Sequence, residues 1–292
     1  MGKIVEGLQQ NTPQWLEWRK NMIGASEAAA ILGVSKWCTP WQLYMRKLGL
    51  IPEQADNYAM GEGRRLEPKI LESYNREWGL NLKPVVIQSF EYPWMFASLD
   101  GWDEDARIAV EIKTASKEDH ACALEGCVPD HYFPQVQHQH KVLGEGVKLF
   151  YISANKEREY PTEFEVKRDD EYIKAMIEKE VRFMEYLKML IPPEFCDRDF
   201  VENNSREWQF AVRYYENCKR DAEHAEDDLR RAREAVISLA GDHNCKGAGF
   251  RVTKSVRRGQ IDYQAWIDDQ SIEVDWDQYR KPPITTWRVT EE

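Results

Sequence analysis

Ala97-Ser98-Leu99-Asp100-Gly101 and Val110-Glu111-Ile112-Lys113 are the two stretches on which the reading of this chain turns. Leu99–Trp102 and Ile108–Lys113 have the composition of paired strands, with Asp103–Arg107 as a polar turn between them. Pairing Trp102 with Ala109 sets Asp100 across from Glu111. Side chains alternate along a strand, so Glu111 and Lys113 share one face while Val110 and Ile112 point to the other. Two carboxylates and an ammonium then converge on one patch. Carboxylates brought together repel unless a cation lies between them, and a hard divalent ion with oxygen ligands suits the position. The lysine stands where it can hold or activate a water beside such an ion, the chemistry of metal-dependent phosphodiester hydrolysis. The plainer reading is a solvated hairpin with a cross-strand salt bridge, because Asp-x(10)-Glu-x-Lys arises often by chance on amphipathic hairpins.

Upstream, the run from Trp18 to Gly33 reads as a capped helix over 26–32. Ser26 is its N-cap, Glu27 favours the positive end and Gly33 stops it. A helix start with free N–H groups and a hydroxyl is a ready anion site, and Arg19 can complete a phosphate clamp with its bidentate fork. The plainer reading is a capped helix beside a surface arginine.

Arg19-x(6)-Ser26-Glu27-Ala28-Ala29-x-Ile31-Leu32-Gly33, Thr39-Pro40, Gly61-x(5)-Glu67-Pro68, Ser98-Leu99-Asp100-Gly101, Glu111-Ile112-Lys113 and Gln135-Val136-Gln137 occur in one order. Together they resemble the YqaJ-like viral recombinase / lambda exonuclease family of the PD-(D/E)XK nuclease superfamily, over about residues 12–155. The resemblance implies a restriction-endonuclease-like α/β (α+β) fold, a mixed central sheet flanked by helices. It implies a Mg²⁺-dependent 5′-to-3′ exonuclease on linear double-stranded DNA. Such an enzyme leaves 3′ single strands for phage-type recombination, with a single-strand annealing protein as partner. By the same resemblance Glu67, Asp100, Glu111 and the Ile112 carbonyl hold metal, two Mg²⁺ ions with Mn²⁺ able to substitute. Lys113 assists the attacking water, and Gln135 touches the nucleophile or the scissile phosphate. Arg19 and Ser26 hold the 5′-phosphate, and Tyr132 lies one turn before Gln135. Gln139 shares the face of Gln135, but the resemblance gives it no role. A homo-oligomer, a trimeric ring in the lambda-type members, is also implied. Two rival functions share the core: a structure-specific endonuclease or nickase, and a non-catalytic DNA-end-binding assembly protein.

The chain has 292 residues, 42% of them hydrophobic, with 11 tryptophans, enough for one large domain or a core with an appendage. A net charge of −11 argues against a generic nucleic-acid binder, so any DNA contact must come from local patches. Lys36 and Trp37 lie in a loop from which they can reach or stack on DNA, though burial is the commoner fate of a tryptophan. Arg64-Arg65 is a second basic patch. Lys246–Gln260 is a third, with Arg251, Lys254, Arg257 and Arg258 and no acid. No apolar run reaches membrane-spanning length and no signal peptide pattern opens the chain, which points to the cytoplasm of a bacterial host and no membrane association. The six cysteines include no CxxC pair, and the intracellular context predicts free thiols. Their wide spacing also argues against the iron–sulphur cluster of some RecB-like nucleases. His138 and His140, two apart on a helix, cannot chelate together and read as surface or DNA-groove residues.

Helices are expected at Pro13–Lys20, 26–32, Pro40–Leu48, from Gly61 to about Trp78, at Tyr132–Gly144 and at Asp169–Leu190. Strands are expected across 84–115, at Lys148–Ser153 and at Thr162–Lys167. Pro192-Pro193 opens a boundary, giving a nuclease core over 1–200 and an extension over 201–292. In the extension, Ser205–Leu239 reads as long charged helix, ended by Gly241, with apolar spacings of three, four and seven. Gly249–Thr253 and Arg258–Tyr263 then read as a small strand pair. A DNA- or partner-contacting arm and a stabilising or oligomer-forming appendage fit this extension equally.

Overall fold

The two decisive stretches lie on adjacent antiparallel strands of a computed structural model, which describes residues 2–7, 12–52, 58–155, 161–254 and 266. The elements in chain order are β1 (Lys3–Ile4), α1 (Pro13–Arg19), β2 (Ile23–Gly24), a 3₁₀ turn (Ala25–Glu27), α2 (Ala28–Ile31), α3 (Pro40–Lys47), α4 (Tyr58–Trp78), β3 (Lys83–Gln88), β4 (Met95–Asp103) and β5 (Ile108–Thr114). They continue with α5 (Lys117–Leu124), α6 (Phe133–Leu143), β6 (Lys148–Ala154), β7 (Thr162–Val166), α7 (Asp170–Met189), α8 (Arg206–Ala240), β8 (Cys245–Gly247) and β9 (Phe250–Val252). The described chain divides into two units, Met1–Glu202 and Asn203–Glu292.

In the first unit seven strands form one mixed sheet, ordered β1-β3-β4-β5-β6-β7, with β2 beside β4. The β5–β6 and β2–β4 pairs are parallel and the others antiparallel. A parallel pair needs a crossover, and α5 and α6 supply it between β5 and β6. Leu71 and Tyr74 of α4 pack with Val110, Ile112 and Ile152 on one side of the sheet. The other main cluster joins Ala28, Leu99, Trp102, Val136, Leu149, Tyr151 and Met176. A Cβ on Gly101 would stand 2.6 Å from Leu71 Cδ1 and 2.7 Å from Val110 Cγ2, so only glycine lets α4 lie this close.

The β4–β5 register is Gly101↔Val110, Trp102↔Ala109 and Asp103↔Ile108, as the alternation of the two stretches requires. The ladder stops at Gly101, one residue short of the acidic pair. On its other edge β4 is irregular. Lys83 pairs with Trp102 but Val85 with Leu99, so three steps on β4 answer two on β3. This bulge explains how Leu99 and Trp102, three residues apart, enter the same core cluster.

Three local expectations are corrected. Ser26 caps no helix. The backbone enters α2 through the 3₁₀ turn, whose cap is Gly24, and the Glu27 carboxylate reaches back to accept from Gly24 N–H at 2.9 Å. Helix α4 starts before Gly61 and carries Pro68 in its interior, on an exposed face. Cys122 and Cys127 are disulfide-bonded, with Cα atoms 5.3 Å apart, rather than free. The end of α5 brings them together: Gly126 takes a positive φ of 77°, and Cys127 N–H donates to the Cys122 carbonyl at 3.1 Å. Cys38, Cys196, Cys218 and Cys245 are free thiols.

Helix α6 departs furthest from its sequence. His138 and His140 read as surface or groove residues, yet every residue of Gln135-Val136-Gln137-His138-Gln139-His140 is buried. Each polar side chain has a fixed partner. Gln137 donates to the Lys167 carbonyl at 2.9 Å and accepts from Asp169 N–H at 2.9 Å. His138 bonds Glu180 at 2.8 Å and the Phe96 carbonyl at 3.0 Å, and His140 bonds the Val166 carbonyl at 3.0 Å. The two histidines are core residues, not groove residues.

In the second unit Ser205 caps the 35-residue α8, and Gly241 ends it. Phe250–Val252 pairs with Cys245–Gly247, and the expected strand Arg258–Tyr263 lies outside the described residues. Ala248 and Gly249, with φ of 48° and 81°, make the tight turn that selects this local partner. No helix among the described residues is long and apolar enough to cross a membrane.

Candidate active site

Past the end of the β4–β5 ladder, Asp100 Oδ2 accepts from Ile112 N–H at 2.8 Å and so replaces the next ladder bond. Glu111, only 1% exposed, points toward α6. Its Oε1 accepts from Lys113 Nζ and from Gln135 Nε2, the latter at 2.5 Å. Its Oε2 accepts from Gln139 Nε2 at 2.5 Å. One turn of α6 separates the two glutamines, so they grip both oxygens of one carboxylate. Glu67 comes from α4. Its Oε1 lies 3.3 Å from where a Cβ on Gly63 would stand, and Thr114 Oγ1 is 3.9 Å from the same point, so Gly63 makes room for it.

The electrostatics tie these groups into one site. Burial first, then Glu111 and Glu67, push the Asp100 carboxyl well above the usual range, against the pull of Lys113. Burial also raises Glu67; Lys113 lowers it and Glu111 raises it. Burial acts against the charge on Lys113, but Glu111 and Asp100 overcome it and hold the ammonium above its ordinary range. Lys113 Nζ also stands 5.3 Å from the Tyr132 ring centroid.

These residues fit a hard divalent ion. The donors are all oxygens, and three acids share a largely dehydrated patch with a single ammonium, an imbalance that a dication offsets. Among the described residues no three His, Cys, Asp or Glu side chains stand, as they are placed, where they could hold one ion together. Glu111 is instead held by its lysine and glutamines.

Arg19, at the end of α1, is joined through Glu27 to the 3₁₀ turn that carries Ser26. Arg19 Nη2 pairs with Glu27 Oε1 at 2.5 Å, and its guanidinium lies 4.5 Å over the Trp15 ring. Lys47 Nζ, 5% exposed, pairs with Glu27 Oε2 at 2.7 Å. Burial opposes ionisation of Glu27, yet Lys47 and Arg19 draw its carboxyl below the usual range. Arg19 is therefore a fixed group, and Ser26 beside it is exposed.

The remaining basic candidates that the structure describes are each placed by themselves. Lys36 pairs with Asp119 at 3.2 Å, Arg65 with Glu62 at 2.9 Å and Lys254 with Asp242 at 2.8 Å. Arg64 is exposed on α4, and its charge reaches Glu67. Arg251 is exposed on β9, and Arg257 and Arg258 lie outside the described residues. Trp37 is 49% exposed rather than buried. Sequence reasoning missed Gln139 and Glu27 as site residues. The four-residue step from Gln135 was the available signal for the first, and the capping position three after Gly24 for the second.

The mixed sheet flanked by helices, with one acid on β4 and a second acid and a lysine two residues apart on β5, is the restriction-endonuclease-like fold expected from the sequence. Residues 14–145 match the family model of the YqaJ-like viral recombinase domain. It is similar to the uncharacterised protein YqaJ of Bacillus subtilis (strain 168), at 27% identity over 183 residues, 62% of this chain. That match spans 57% of the relative's length. Among solved structures, the alkaline exonuclease LHK-Exo from Laribacter hongkongensis is similar with a TM-score of 0.50, at 24% identity over 62% of this chain and 94% of its own. LHK-Exo in complex with dAMP gives 0.52 at 23% identity, with the same coverage. These structural likenesses bear on the fold.

Proposed function

We propose that this chain is a metal-dependent deoxyribonuclease, a 5′-to-3′ exonuclease on linear double-stranded DNA. The observation that carries the reading is Glu111: a buried carboxylate gripped by Lys113, Gln135 and Gln139, whose charge acts on Asp100 and Glu67. Glu67, Asp100, Glu111 and the Ile112 carbonyl would hold the metal, two Mg²⁺ ions in this reading with Mn²⁺ able to substitute. Bound metal supplies Lewis-acid polarisation of the scissile phosphate. The chain's own groups do the positioning. Lys113, kept cationic by its acidic neighbours, holds the attacking water and steadies negative charge that builds on the phosphate. Gln135 spans the space between Glu111 and the phosphate. Arg19 and Ser26 take the terminal 5′-phosphate. Residues 1–200 form the nuclease core in this reading, and 201–292 the extension. The product is a 3′ single strand for an annealing partner, and the working assembly is a homo-oligomeric ring, a trimer.

Digestion of linear duplex labelled at either end tests this directly. Release of the 5′ label first, with covalently closed circles left intact, is the expected result. Rapid cutting of closed circles would favour the endonuclease or nickase reading. Binding of ends without hydrolysis in Mg²⁺ or Mn²⁺ would favour the assembly protein.

A further inference from the structure

We infer that Trp37 and Tyr132 form a stacking step for the terminal base of the strand being cut. The inference rests on the nuclease reading and assigns the site a base-recognising part. Trp37 is a large apolar side chain left half-exposed, and it reaches the acidic site through Tyr132. Its ring centroid is 5.7 Å from that of Tyr132, with the planes 35° apart, and 5.0 Å from that of His131. Tyr132 in turn stands 5.3 Å from Lys113 Nζ. Two short steps thus lead from the reacting groups to an open indole face.

The loop backbone that carries the indole is held from several sides. Ser35 Oγ accepts from Trp37 N–H at 3.2 Å and from Cys38 N–H at 3.3 Å, and the Ser35 carbonyl accepts from Arg198 at 2.7 Å. Lys36 pairs with Asp119 at 3.2 Å, and Asp119 lies 3.5 Å from His131, which packs on Tyr132 at 4.2 Å. A tryptophan serving only as core would be covered. One fixed in place with a face in water has its ordering cost met before any ligand arrives. The ligand that suits such a face is a nucleobase, because every base offers a π-surface and stacks without hydrogen-bond readout. Bases inside a duplex already have both faces covered, which leaves the frayed base at the end. This step would hold that base while its phosphate lies at Lys113.

The test uses the full-length protein with 5′-phosphorylated duplexes in Ca²⁺, so that binding is read without turnover. The duplexes carry 2-aminopurine as either the first or the tenth nucleotide of the 5′-ended strand. The wild type should quench the first position and not the tenth. Trp37→Ala and Trp37→Leu should lose that quenching and weaken binding roughly 5- to 100-fold, while Trp37→Phe keeps most of both. An abasic first nucleotide should make wild type and Trp37→Ala equal in binding and in KM. Equal quenching in all four proteins, or the same loss in Trp37→Ala on abasic and normal ends, overturns the stacking step. The second pattern is what a merely structural tryptophan gives. Failure of the wild type to cleave any linear duplex in Mg²⁺ would count against the nuclease reading, while the fluorescence arm still decides the stacking step.

Discussion

Asp100 and Ile112 face each other where the β4–β5 ladder ends, the carboxylate accepting the backbone N–H at 2.8 Å. One residue thus extends the pairing of β4 with β5 and supplies an acid to the site. These two tasks separate by substitution. Asp100→Ala leaves Ile112 N–H without its partner, at a cost of about 1–3 kcal/mol. Asp100→Asn keeps an acceptor oxygen and removes the charge. Both should abolish DNA digestion.

Their stabilities should differ in sign. The Asp100 carboxyl is raised above its ordinary range by burial and by Glu111, so its ionised form is disfavoured in the fold. That unfavourable contribution is full above the raised folded value and disappears as pH falls below the unfolded value. In EDTA at pH 8, Asp100→Asn should therefore melt higher than wild type, and the gap should close toward pH 4. Calorimetry across that range checks it, and a mutant that melts lower at pH 8 would show that the repulsion is already relieved in the apo protein.

Gln139 tests the grip on Glu111. Its side chain is fully buried and donates to Glu111 Oε2. Gln139→Leu conserves bulk and removes the donor, leaving one carboxylate oxygen unsatisfied at about 1–3 kcal/mol. Gln139→Glu adds a like charge and should cost more, in stability and in turnover, with the penalty easing at acid pH. Steady-state digestion rates and urea midpoints for the two variants measure this. Unchanged rates in both would mean that Gln135 and Lys113 alone position Glu111.

Much of this site was legible because strand alternation is a rigid rule. Once Trp102 is set against Ala109, the acids and the lysine follow, and the observed register agrees. Thr39 before Pro40, and Ser205 before the long α8, also sit where capping chemistry puts them. What failed has a physical reason in each case. The bulge opposite Lys83–Val85 depends on tertiary pairing and leaves no composition signal. His138 and His140 of α6 read as surface or groove residues because His usually is, and only distant partners such as Glu180, Phe96 and Val166 make them core residues. Ser26 reads as a cap because Ser often is one, yet Glu27 reaches Gly24 first.

Glu27 should be a stability determinant as well as a support for Arg19. Lys47 is 5% exposed against it, so Glu27→Gln leaves a buried ammonium without its counter-charge, a change worth about 3–5 kcal/mol. Burial works against the Glu27 charge, but Lys47 and Arg19 hold its carboxyl below 4.5. Its stabilising contribution is therefore full above the unfolded value and lost as pH falls through the lower folded one. The mutant should be markedly less stable at pH 7, with the difference narrowing below pH 4. Denaturant titrations at the two pH values would reveal a constant gap if packing rather than charge were responsible.

Arg19 should make digestion depend on a 5′-phosphate. Its guanidinium is fixed against Trp15 and Glu27, so a phosphate arriving at the exposed Ser26 meets a positioned fork rather than a mobile side chain. Charge-assisted hydrogen bonds of this kind contribute roughly 1.5–3 kcal/mol each. Arg19→Ala should slow digestion of 5′-phosphorylated ends by about one to two orders of magnitude, a loss of that size. The already slow 5′-hydroxyl ends should be nearly unaffected. Arg19→Lys should recover only part of the rate, because an ammonium cannot make the paired contact. Processivity should fall in the same variants, since each newly exposed 5′-phosphate would re-anchor the enzyme. Rates on the two kinds of end decide the matter: an equal loss on both in Arg19→Ala would assign Arg19 to holding Glu27 and nothing more.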